Sequence, residues 1–124
     1  MRTFQESLEA YGADYEGIMR RFMGSEAVYR RILGLLFDDG NLEKLGKALD
    51  AGDLPAAFEA AHTLKGVAGN LGLTPLYGAV CAVVEPLRRR ETACDYPALY
   101  RAVREEFRRV EALWEELKRS GGPA

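Results

Sequence analysis

The chain has only two cysteines, one histidine and one tryptophan in its 124 residues, and no apolar run long enough to span a bilayer. Two thiols, Cys81 and Cys94, are too few for a disulfide framework, and their separation fits no metal-ligand spacing. Cys81 lies among apolar residues and reads as a small core side chain rather than a reactive thiol. One histidine and two separated cysteines do not make a sensible ligand set, so a metal site is the weakest reading. Basic excess is missing too: 17 Lys and Arg against 19 Asp and Glu leave a net charge of -2, with an isoelectric point near 5.5. Affinity for nucleic acid rests on clustered cations, so nucleic acid is a poor partner. The run Arg88-Arg89-Arg90 is too short to reverse this and reads as the end of a helix, where cations suit the dipole. No basic start followed by an apolar stretch marks an export signal. A cytoplasmic protein without membrane association is expected.

What is present is an ordinary globular balance, 48 % hydrophobic and 29 % charged, in a length that suits one domain. Helical periodicity runs nearly throughout, nothing reads as a strand, and there is no internal repeat. A short helix is expected around Phe4, Leu8 and Tyr11, and a second over about 14–23 with Tyr15, Ile18, Met19 and Phe22 on one side. After Gly24, Ser25 can cap a long helix that carries Val28, Ile32, Leu35, Leu36, Leu42, Leu45 and Leu49, kinked at Gly40 beside Asp38 and Asp39. Gly52, Asp53 and Pro55 mark the next boundary. Gly72 with Thr74 as cap and Pro75 marks another, and Asp95 with Pro97 a third. The last helix carries Tyr96, Leu99, Val103, Phe107, Val110, Leu113 and Leu117. The expected fold is all-α: an antiparallel four-helix bundle with short additional N-terminal helices as a lid. One domain fills 1–124, with its core over about 14–118, an N-terminal helix in 1–13 and a frayed tail over 119–124.

The stretch AAHTLKGVAGNLGL, residues 60–73, holds the sole histidine and three glycines. At about 100° per residue, Ala57, Ala60, Ala61, Leu64, Val67, Ala68 and Leu71 gather on one arc, a core stripe whose alanines admit a close neighbour. His62 lies outside that arc, in the company of Phe58, Lys65, Gly66 and Gly69. Each glycine in a helix interior costs about 1 kcal/mol against alanine. Such a loss makes sense if something must approach His62, or if the glycines let another helix pack closely. An outward imidazole, a cation at i+3 and bare backbone at i+4 suit phosphoryl transfer. A neutral imidazole, with a reference pKa of about 6.5, is a nucleophile at neutral pH, and an ammonium can stabilise the equatorial oxygens of the transferred group.

These residues, His62, Leu64, Lys65, Gly66, Gly69, Leu71 and Gly72, resemble the H-x-L-K-G signature of histidine phosphotransfer (HPt) domains, with its downstream small residue and L-G. The resemblance covers roughly residues 14–118. It implies a four-helix bundle that carries phosphate between response-regulator receiver domains, including those of hybrid sensor histidine kinases. His62 would be phosphorylated on Nε2, Lys65 would hold the phosphoryl oxygens and Gly66 would give steric access. Mg²⁺ would belong to the receiver, leaving this chain without a cofactor or metal of its own. Members of the family neither bind ATP nor phosphorylate themselves, and no phosphate-cradling glycine loop is present. The family often places a glutamine or glutamate 22 residues beyond the histidine, to fix the ring or phosphoryl group. Here that position is Val84, with Glu85 and Arg88 nearby.

A receiver would meet an apolar patch of Phe58 and the bare backbone at Gly66 and Gly69, rimmed by Glu59, Thr63, Lys65 and Asn70. The chain is expected to act as a monomer and as a relay rather than a free-standing enzyme. The alternative reading is a non-catalytic helical module that docks or sequesters a receiver without transfer. A dimeric kinase phosphoacceptor helix pair fits less well, because Thr63 and Leu64 follow the histidine instead of an acidic residue and a proline.

Overall fold

A computed structural model describes residues 2–120 of the chain, and seven α-helices with no strand make up its regular structure. Thr3 starts α1 (Phe4–Tyr11) with a reciprocal cap. Its hydroxyl accepts from the Glu6 N–H at 3.1 Å while its own N–H donates to the Glu6 carboxylate at 2.8 Å. That backbone N–H holds the Glu6 carboxyl below the usual carboxylate range. Gly12, at φ +102°, ends the helix in the left-handed region. Asp14 caps α2 (Tyr15–Arg21) and Ser25 caps α3 (Glu26–Leu35).

The long kinked helix expected over Val28 to Leu49 is two helices. α3 stops at Leu35, a turn follows, and α4 (Asn41–Asp50) begins afresh. Gly40 sits at φ +71°, which no helix interior accommodates, and the Asp39 carboxylate accepts the Asn41 N–H at 2.9 Å. The five residues 36–40 thus link the two helices, with a turn over Leu36, Phe37 and Asp38 that leads into Asp39 and Gly40.

Asp53 caps α5 (Leu54–Asn70), with Pro55 in its first turn. Thr74, expected as the cap of α6 (Thr74–Arg88), is instead its first residue and makes no side-chain cap bond. The first-turn N–H of Leu76 is taken by the Tyr11 hydroxyl of α1 at 3.2 Å, so a distant aromatic does the capping. Burial pushes the Tyr11 hydroxyl up to about 12. Asp95 accepts the Ala98 N–H at 3.1 Å at the start of α7 (Tyr96–Ser120). α7 continues through Arg119 and Ser120, where a frayed tail was expected; residues 121–124 of that tail lie outside the described residues.

α4, α5, α6 and α7 pack in chain order, and α7 closes the ring against α4. This is the four-helix bundle. α5 is its centrepiece, with Ala57, Ala61, Leu64, Ala68 and Leu71 fully buried. Methyl-sized side chains let α4 and α6 approach its backbone closely on both sides. Leu45 of α4, Val80, Val83 and Val84 of α6, and Val103, Val110 and Leu117 of α7 complete the core. Cys81 is half-buried rather than a core residue. It lies one turn after Tyr77, whose hydroxyl is pushed up by a hydrogen bond to the Cys81 thiol.

The N-terminal helices attach at several places besides the Tyr11 cap of α6. α3 packs on α7, where Arg30 donates to the Leu117 carbonyl at 2.9 Å and the Trp114 indole N–H donates to the Arg30 carbonyl at 3.3 Å. α1 lies on α7, where Ser7 donates to Glu116 at 2.8 Å and Arg109 donates to the Tyr11 carbonyl at 3.0 Å. α2 and α3 hold the C-terminal end of α5: Arg21 donates to the Asn70 carbonyl at 2.6 Å, and the Tyr29 hydroxyl to the Leu71 carbonyl at 2.7 Å.

Candidate functional site

His62 stands near the middle of α5, exposed to solvent. Residues three and four apart on a helix are surface neighbours, so Phe58, Lys65 and Gly66 surround it on its own helix. Lys65 is half-buried, and among the described residues no carboxylate lies within ion-pair distance of it or of His62. Its ammonium is therefore free of any ion pair, on a residue three positions along α5 from His62.

The two glycines of this face differ. A Cβ added to Gly66 would meet nothing within 4 Å, so no packing among the described residues calls for a glycine there. A Cβ on Gly69 would come within 3.2 Å of the Tyr77 ring. Gly69 is thus covered from α6 by Tyr77, and the expected bare patch at Gly66 and Gly69 shrinks to Gly66. Close helix packing explains Gly69; it does not explain Gly66.

Phe58 is half-buried and its ring stacks on the His62 imidazole, with centroids 5.5 Å apart and planes 28° from parallel. The Arg88 guanidinium, from α6, lies 5.5 Å from the Phe58 centroid and pairs with Glu85 at 3.9 Å. Val84 is fully buried, so that position of α6 belongs to the core and offers no group to the imidazole. Sequence spacing gave no sign of the Arg88 contact, because it depends on how α6 lies against α5.

The remaining rim residues divide between two grooves that flank α5. Glu59 and Thr63 line one of about 610 Å³ against α4, with Lys44 and Lys47 on its far side. Asn70 and Gly66 line the other, against α3, together with Ile32 and the exposed Leu35. Lys44 and Lys47 had no role in the sequence reading, and Ile32 and Leu35 were set in the apolar stripe of the long helix, since helix periodicity does not say which element borders which. Among the described residues, no group of three or more His, Cys, Asp or Glu could hold a metal ion, and no helix is long and apolar enough to cross a membrane.

No curated protein and no solved structure shows a significant match to the chain. The model of one family, the Hpt domain, matches residues 33–119, a span that takes in the end of α3, all of α4, α5 and α6, and nearly all of α7. With that match across most of its length and its histidine exposed on the central helix of an all-helical bundle, the chain belongs to the Hpt family of phosphorelay histidine phosphotransfer domains.

Proposed function

We propose that His62 accepts a phosphoryl group from the aspartyl phosphate of one receiver domain and passes it to the aspartate of another. The Nε2 lone pair attacks phosphorus, the bond between phosphorus and the aspartyl oxygen breaks, and the carboxylate leaves with that electron pair. The ring retains its Nδ1 proton during attack. The second transfer is the same displacement run towards a new carboxylate. Lys65 holds the equatorial oxygens of the moving group, whose charge is greatest when neither bond is full. Mg²⁺, which such transfer uses to neutralise phosphoryl charge, comes with the receiver's acidic site. The chain supplies neither nucleotide nor kinase chemistry, and acts as a carrier. The receiver settles on α5 over His62 and Gly66, with Phe58, Glu59, Thr63 and Asn70 at the contact, while Gly69 contributes only through Tyr77.

The observation that carries this reading is the open backbone at Gly66. Glycine costs about 1 kcal/mol in a helix interior, and nothing among the described residues occupies the space it leaves. Access from outside, one turn from the imidazole, accounts for it. Mixing the protein with a phosphorylated receiver is expected to place acid-labile, alkali-stable phosphate on His62, and His62→Gln abolishes it. Label retained by His62→Gln overturns the assignment. Binding of the receiver without any label would favour a docking module instead.

A further inference from the structure

An exposed imidazole on a helix is free to turn about its last torsion, which is broad and roughly two-fold for histidine. In-line attack needs the reacting nitrogen held towards phosphorus, and misorientation is costly in rate. Something must therefore hold the ring. Among the described residues no side chain or backbone group hydrogen-bonds to His62. Its specific contact is the near-parallel stack on Phe58, at 5.5 Å and 28°.

Phe58 is suited to the task because it is itself held. Its ring packs against the core, and the Arg88 guanidinium lies 5.5 Å from its centroid. Arg88 is in turn tied to Glu85, one turn earlier on α6. A chain of contacts thus runs from α6 through Arg88 and Phe58 to the imidazole.

We propose that Phe58 is a positioning residue that sets the plane of the His62 imidazole by stacking, with Arg88 holding Phe58 in place. This rests on the phosphotransfer reading above and gives Phe58 a task separate from any part in receiver docking.

Phosphoramidate separates the two tasks, since this small donor needs no docked protein: its P–N bond breaks, ammonia leaves and the phosphoryl group passes to the ring nitrogen. Phe58→Leu keeps the apolar packing and removes the ring. It is expected to slow phosphoramidate labelling of His62 about two- to tenfold, the range a stacking contact commands. Phe58→Tyr, which keeps the ring, rescues the rate, and Arg88→Gln gives a smaller loss than Phe58→Leu. In proton NMR the His62 ring signals carry an upfield ring-current shift that Phe58→Leu removes and Phe58→Tyr restores, a change that mere loss of packing would not produce. Phosphoramidate labelling of Phe58→Leu at the wild-type rate overturns the proposal, even if transfer from a receiver is slowed. A wild-type protein unlabelled by both phosphoramidate and a phosphorylated receiver removes the phosphotransfer reading itself, and this inference with it.

Discussion

The Arg21 guanidinium donates to the Asn70 carbonyl at 2.6 Å and reaches the Gly69 carbonyl at 3.4 Å. α2 thereby satisfies the Asn70 carbonyl, adds to a Gly69 carbonyl that already accepts the Gly72 N–H at 3.1 Å, and places a cation where the helix dipole favours one. The segment before residue 33, which the family model does not cover, is thus fastened to the helix that carries His62. Arg21→Ala should cost about 1 kcal/mol in urea unfolding, in the range of an exposed charged hydrogen bond. Amide exchange near Asn70 and Leu71 should quicken more than exchange at Leu64.

Gly66→Ala should raise stability by up to about 1 kcal/mol, since a methyl group meets open space and alanine is the better helix former. Gly69→Ala should be neutral or destabilising, because the Tyr77 ring at 3.2 Å must give way. Thermal melts of the two variants check the contrast. A long side chain at the open position, Gly66→Gln, should leave the melt near wild type and slow transfer from a receiver on the order of tenfold to a hundredfold, by keeping the phosphorus from its line of attack.

Removing the Lys65 ammonium should separate chemistry from folding. Lys65→Ala is expected to slow transfer on the order of tenfold to a hundredfold, the loss that follows when one charge-stabilising group is withdrawn from a transition state. Rapid-quench labelling measures the rate. Circular dichroism and urea midpoints should stay near wild type, as no ion pair of Lys65 is broken.

At alkaline pH the weak point is the joint between α1 and α6. Burial raises the Tyr11 hydroxyl from its ordinary value near 10 to about 12, and burial raises Tyr29 likewise. The unfolded chain ionises these phenols first. The stability they confer is complete below about pH 10 and is lost as pH rises towards 12 and beyond. Urea midpoints should therefore fall between pH 10 and 12. Tyr11→Phe, which leaves the Leu76 N–H unpaired, should cost about 1–3 kcal/mol at pH 7 and flatten part of that fall.

Much of this fold was legible in the sequence because it is local. The caps at Ser25, Asp53 and Asp95 and the alanine stripe of α5 follow from side chains acting within one helix turn. The break after Leu35 was read as a kink because apolar spacing continues across it. Spacing is blind to a left-handed Gly40 and to a carboxylate that caps from Asp39. Thr74 failed as a cap because Tyr11, far away in sequence, does the work.

At the candidate site the outward placement of His62, Lys65 and Gly66 followed from geometry along one helix. The cover over Gly69, the contact of Arg88 with Phe58 and the grooves beside α5 did not. Each depends on how two helices are rotated against each other, and a single sequence does not record that rotation.

The alanine face of α5 bears on how a signal could leave this protein. A methyl group has no rotamers, so the wall behind His62 contains little that could be rearranged when charge arrives in front of it. A phosphorylated copy should keep the same interior as an unphosphorylated one. News of the event then travels only by touch: whatever reads it must come to the surface of this one helix and collect the group itself.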